Sequence, residues 1–191
     1  MILLNNLKNI KEILDLGTVE EKIKILESMT STDNIEIIRE IILKLDDSNV
    51  QVRGEAFSSL VLNENKISDV LIDSLKSQNK NIRGYSSLVL ANRKESNAIT
   101  EIIKLTYDQS SMVRACALGA LGHLQANDAK EVIYSSLCDS NLEVRKSALQ
   151  ALIHLGYTLS EDKIEEISKQ KDSEIEEMLI NVKKDNGPKG I

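Results

Sequence analysis

Asp47-Ser48-Asn49-Val50-Gln51-Val52-Arg53-Gly54-Glu55-Ala56, closing on Leu60, is a phrase that the chain repeats. It returns from Ser77 through Asn79, Ile82, Arg83 and Ser86 to Leu90. It returns again from Asp108 through Ser110, Val113, Arg114 and Ala117 to Leu121, and from Asp139 through Asn141, Val144, Arg145 and Ala148 to Leu152. The four arginines are spaced by 30, 31 and 31 residues. A fixed period of this length is the signature of stacked repeats. Four residues before each arginine stands Asn49, Asn79, Ser110 or Asn141, short polar side chains suited to cap a helix N-terminus. Val or Ile at −1, Ala or Ser at +3 and Leu at +7 then share one helix face. The small residue between two larger ones predicts a helix pressed closely against a neighbour.

A second helical pattern lies between the phrases. Ile35, Ile38, Ile41 and Ile42 share a face, as do Ile67, Val70 and Leu71, then Ile99, Ile102 and Ile103, then Ala129, Val132 and Ile133. No segment alternates with period 2, so no strand is expected. The flanks carry degenerate copies: Lys22 stands 31 residues before Arg53, while Asp172-Ser173-Glu174-Ile175 repeats the turn with Met178 in place of the arginine. Atypical ends suit units that cap a stack. The pattern predicts an all-α solenoid of about six antiparallel helix pairs. Its helices fall near 2–15, 18–30, 33–46, 49–62, 66–77, 80–92, 95–108, 111–124, 127–138, 141–155, 160–170 and 173–184. Residues 1–184 read as one solenoid and 185–191 as a flexible tail.

Composition narrows the function. A chain of 191 residues with 41% hydrophobic and only 3% aromatic content builds its core from Ile, Leu, Val and Ala. Lysine outnumbers arginine three to one and Asn and Ile abound, which suggests an AT-rich, prokaryotic source. The net charge of −6 opposes long-range attraction to phosphate backbones, so nucleic acid is not the expected partner. Cys116 and Cys138 lack metal-type spacing and fit a reduced, cytoplasmic protein. Neither a signal peptide nor a membrane span is expected.

The sequence has no Gly-rich phosphate loop, nucleophile elbow or His-Glu-x-x-His motif. His123 and His154 stand 31 residues apart at one repeat position, and Cys116 lies two turns before His123. A metal would need three or four converging ligands. The pattern fits a polar groove lining better, so neither a metal nor a cofactor is expected.

Together the period of about 30 residues, the Asp-rich turn, Val-Arg, and then Ala and Leu resemble the HEAT-repeat family, in particular the short repeats of the phycobilisome-lyase type. The resemblance covers roughly residues 2–184; the proline frequent in such turns is missing, the single proline being Pro188. It implies an inter-repeat structural ladder made by Asp47, Arg53, Arg83, Asp108, Arg114, Asp139 and Arg145. It also implies that the second helix of each pair lines a concave face.

The stripe opposite the core face, offsets −2, +2, +5 and +9, then supplies the candidate partner-binding residues. These are Gln51, Glu55 and Ser58; Asn81, Tyr85 and Leu88; Met112, Cys116, Gly119 and His123; and Glu143, Ser147, Gln150 and His154. Tyr85, Leu88, Met112, Cys116 and Gly119 form an apolar centre with a polar rim, the anatomy of a binding patch. Gly54 and Gly84, in helix interiors where glycine costs about 0.5–1 kcal/mol, fit either a partner's close approach or tight packing between repeats.

The leading expectation is a non-enzymatic scaffold that binds another protein through this face. Two alternatives stand beside it. A bilin-lyase-like subunit would use Tyr85, Cys116, His123 and His154 against a tetrapyrrole. A nucleic-acid binder resembling HEAT-like alkylation-repair glycosylases would need a basic face, whereas here Glu55 and Glu143 stand against Lys146. The spacing also makes a stability statement. Ala117→Leu is expected to overpack a close helix crossing and lower stability by about 1–3 kcal/mol, read as a fall in melting temperature.

Overall fold

A computed structural model describes residues 2–157, 159–168 and 172–185. Among them are twelve α-helices and no strand: α1 (Ile2–Leu16), α2 (Val19–Ser28), α3 (Ile35–Leu43), α4 (Val50–Leu62), α5 (Ser68–Ser74), α6 (Lys80–Asn92), α7 (Ile99–Leu105), α8 (Ser111–His123), α9 (Lys130–Ser136), α10 (Leu142–His154), α11 (Glu161–Ser168) and α12 (Ser173–Asp185). They pair in order into six units. Second helices stack on second helices, and α6–α8 and α8–α10 make the closest approaches. Apart from Asp185, the expected tail lies outside the described residues.

The repeated phrase accounts for the second helices. Asn49, Asn79 and Asn141 each accept hydrogen bonds from the second and third backbone N–H groups of their helix. Ser110 accepts none through its side chain, so the third of the four positions is a weaker cap than its residue type suggests. The stripe at −1, +3 and +7 is buried throughout. Ala56, Ser86, Ala117 and Ala148 lie against neighbouring helices, and Leu60, Leu90, Leu121 and Leu152 are sealed from water. Burying each leucine contributes on the order of 1.5–3 kcal/mol. One core runs from Ile10 to Leu179.

The first helices are shorter than their apolar patterns. The chain leaves α5 through Leu75, Lys76 and Ser77, whose N–H groups bond three residues back; the same tightening follows α7 and α9. In α3 the buried stripe is Ile37, Ile38, Ile41 and Ile42. Ile35, expected on that face, is 40% exposed because it opens the helix directly after the Asn34 cap.

Exits from the later second helices share one device. Lys94, Gln125 and Gly156, at equivalent positions, adopt positive φ of 59°, 54° and 72°. The following N–H groups then reach back to Leu90, Leu121 and Leu152, closing the αL turn that ends many helices.

Close packing is sharpest between α8 and α10. A Cβ on Gly122 would stand 2.9 Å from the Ala151 Cα and 3.1 Å from its Cβ. Gly122→Ala would therefore force two helix backbones apart. A loss of about 1–3 kcal/mol is expected, measured by urea unfolding with the slope unchanged.

Candidate functional site

Each repeated arginine is held first by its own turn. Arg53, Arg83, Arg114 and Arg145 all donate Nη1 to the carbonyl six residues earlier, at 2.8, 2.8, 2.9 and 2.8 Å. The other edge of the guanidinium reaches the next unit. Arg83 donates Nε and Nη2 to Asp108 at 2.7 and 2.9 Å, and Arg114 does the same to Asp139 at 2.8 and 2.8 Å. Arg145 bonds Asp172, and Lys22 reaches Asp47 at 2.9 Å. The acceptor aspartates also cap their own turns: Asp47, Asp108 and Asp139 each accept the N–H two residues on. Arg53 departs from this pattern. The equivalent acceptor position holds Ser77, and Arg53 forms no ion pair among the described residues.

These pairs fix the ionisation of the ladder. The Arg114 hydrogen bond holds the Asp139 carboxyl below its ordinary range, helped by the Asn141 N–H and the charges of Arg114 and Arg145; partial burial opposes them. At Asp108 burial is the largest influence and pushes upward, but Arg83, the Ser110 N–H and Arg114 together outweigh it.

The stripe opposite the core is partly open. Gln51, Gly119, His123, Glu143, Gln150 and His154 are exposed; Glu55, Ser58, Asn81, Tyr85, Leu88, Met112, Cys116 and Ser147 are half-buried. They do not form one surface of uniform character. Between α6 and α8, Met112 and Cys116 lie over Gly84, whose added Cβ would stand 2.8 Å from Met112 Sδ. Gly84 is thus a packing glycine. Gly54, at the same repeat position one unit earlier, has nothing within 4 Å of an added Cβ.

That difference marks a wider separation between α4 and α6. There Val50, Arg53, Gly54 and Phe57 face Tyr85 and Leu88 around a recess of about 300 Å³. Val50 is 67% exposed. Tyr85 and Leu88 belong to the stripe read from the sequence, but Val50 and Phe57 at offsets −3 and +4 do not. The signal that could have found them is Phe57 itself, the sole phenylalanine of the chain. A second recess of about 340 Å³ lies at the first-helix side, lined by Ile42, Leu43, Val70 and Ile82 among others.

Tyr85, Cys116, His123 and His154 are not gathered into one pocket. Tyr85 lines the α4–α6 recess, the Cys116 thiol sits 3.6 Å from Met112 Sδ, and His154 Nε2 is 3.1 Å from Gln150 Nε2. Burial pushes the Cys116 thiol up to about 11, which disfavours a nucleophilic thiolate. No group of three or more His, Cys, Asp or Glu able to hold a metal occurs among the described residues. No helix among them is long and apolar enough to cross a membrane.

Stacked helix pairs, arginine–aspartate steps and an apolar recess on the second-helix layer define an α-solenoid of the repeat-scaffold class. Residues 68–153 and 99–180 match the family described as HEAT repeats, and the chain belongs to that family. No curated protein matches the sequence. Among solved structures, an engineered protein is similar at 17% identity, covering 94% of this chain and 97% of its own, with a TM-score of 0.54. A chain from a structure concerning TOG–tubulin binding specificity is similar at 16% identity, covering 85% of this chain and 80% of its own, with a TM-score of 0.53. Both likenesses concern the fold.

The sign of the acid response follows from the ladder. Asp108 and Asp139 have lowered folded values, so their contribution is complete above the ordinary carboxylate range near about 3.9 and is lost as pH falls through the lowered values. Melting temperature is expected to hold from about pH 7 to 5 and to drop below about pH 4. Asp139→Asn is expected to lower stability at neutral pH by about 1.5–3 kcal/mol and to make the acid limb shallower. Thermal melts across pH check both.

Proposed function

We propose that this chain is a non-enzymatic scaffold that binds another protein on its second-helix face, the side that the resemblance to HEAT repeats implies is concave. The observation that carries this reading is the α4–α6 recess. It exposes Val50, Phe57, Tyr85 and Leu88 to an opening that no element among the described residues fills. Apolar surface of this kind, with the charged residue Arg53 among its lining, is favourable to cover. Tyr85 suits an anchor because its ring buries area while its hydroxyl keeps a hydrogen bond.

The remaining candidates of the stripe, from Met112 and Cys116 to His154, form the flank along which a longer partner would run. The raised thiol of Cys116 and the separation of Tyr85 from it favour binding over lyase chemistry. The 30- and 31-residue spacings and the Asp, Val-Arg, Ala order support placing the repeats in the short branch named after phycobilisome lyases, used here as a scaffold. Two cysteines with no bridge between them suit a cytoplasmic setting.

Tyr85→Ala combined with Leu88→Asp is expected to abolish partner binding while helicity and melting temperature stay near wild type. The partner is captured with the wild-type chain from the native source, and its affinity for both forms is measured by calorimetry. Equal affinity for the double variant would exclude the recess and point to the helix ends or the first-helix side.

A further inference from the structure

The recess and the break in the arginine ladder share one residue. Arg53 keeps the half of the arrangement that lies within its own unit, donating Nη1 to the carbonyls of Asp47 and Ser48 at 2.8 and 3.1 Å. Its Nε and Nη2, the edge that in Arg83 and Arg114 grips a carboxylate with two bonds, donate to nothing among the described residues. Ser77 explains why. Its Oγ accepts the Asn79 N–H at 3.1 Å, so it retains the turn-capping role of an aspartate, but it offers no carboxylate to the preceding arginine. The joint is held instead by Asp46, which accepts from Asn79 and, at 2.6 Å, from Asn81. Arg53 itself lines the wall of the apolar recess, so this unpaired edge belongs to a residue of the recess.

A planar guanidinium with one edge fixed and the other unoccupied is pre-organised for a carboxylate, because little side-chain freedom remains to be lost. The neighbours fix what the carboxylate should be attached to. Val50, Phe57, Tyr85 and Leu88 present apolar surface, and Gly54 lets a bound chain approach the α4 backbone with nothing in the way. We infer that Arg53 and the α4–α6 recess form an anchor for a partner-protein segment in which a Glu or Asp is flanked by large apolar side chains. In the complex, the segment's carboxylate takes the place that Asp108 and Asp139 occupy in the later units. This rests on the scaffold reading above and names the chemistry of its partner.

The test uses the full chain, ¹⁵N-labelled, and two pools of capped heptapeptides. One pool has a central Glu flanked by Leu or Phe; the other has Gln in its place. The wild-type amide signals of Gly54, Phe57 and Leu88 should shift with the Glu pool at concentrations about tenfold lower than with the Gln pool, as a charge-assisted bidentate pair warrants. Ser77→Asp restores the missing carboxylate from within the chain. It should raise the melting temperature and erase the preference for Glu. Arg53→Gln should erase it as well while the fold, followed by circular dichroism, is retained.

A Glu preference that survives in Ser77→Asp, or in a folded Arg53→Gln, overturns the inference. So does equal binding of the two pools to wild type, or no shift with either. The broader reading fails separately: if peptides still bind the Tyr85→Ala, Leu88→Asp variant as they bind wild type, the recess is not the site. Binding lost there but unaffected by Arg53→Gln leaves the recess standing and removes only the arginine.

Discussion

A guanidinium carries its donors in a rigid plane, and this stack uses two edges of that plane for two jobs. One edge closes the turn from which the arginine's own helix starts. The other reaches the aspartate that opens the next second helix. Arg83 and Arg114 do both at 2.7–2.9 Å, and their aspartates cap the following turn in the same stroke. Helix start, turn geometry and the register between units therefore hang on one side chain. Both partners are largely buried without being sealed; at the Arg83–Asp108 pair each side chain keeps about a tenth of its surface. That is dry enough to strengthen the pair and wet enough to limit the desolvation that makes fully buried ion pairs poor stabilisers.

Register fixed in this way allows the intimate packing of α6, α8 and α10. Small residues occupy the contact points: Gly84 under Met112 and Cys116, Gly122 against Ala151, and Ala117 and Ala148 with no exposed surface. Where the aspartate gives way to Ser77, the arrangement loosens. α4 stands off from α6, Gly54 opens to solvent, and a recess forms between Phe57 and Tyr85. The recess and the ladder break occupy the same joint for a physical reason. A unit interface that gives up its charged clamp also leaves apolar surface uncovered.

Other ties across the units are side chain to backbone and bypass the ladder. Arg93 spans the joint next to the recess, donating to the carbonyls of Leu60 at 3.1 Å and Asn65 at 2.9 Å and also to that of Asn63. Ser59 reaches the Leu26 carbonyl at 3.0 Å, and Asn63 that of Thr32 at 2.8 Å. The α4 unit is thus secured toward both neighbours away from the recess, so the opening beside Arg53 does not depend on a loose fold.

The sequence alone determined the period, the all-helical pairs and the buried stripe, because a helical repeat writes its core into fixed offsets. Val52, Ala56 and Leu60 recur three more times at the same spacing, with Ile and Ser replacing Val and Ala once each, and every copy is buried. Helix ends were less legible. The left-handed turns at Lys94 and Gln125 use residues with no special preference for positive φ, and the chain leaving α5, α7 and α9 tightens into bonds three residues back without a residue type that announces it. The character of the second-helix face was decided by tertiary structure. Gly54 and Gly84 have equal standing in the sequence, yet one faces open space and the other is covered by Met112. Likewise the four arginines are spelled alike, and Ser77 reads as an ordinary turn residue. What separates Arg53 from the rest is the serine that stands where Asp108 and Asp139 stand in the later units; the letter is visible in the sequence, but that it leaves one edge of a guanidinium without a carboxylate shows only when the units are stacked.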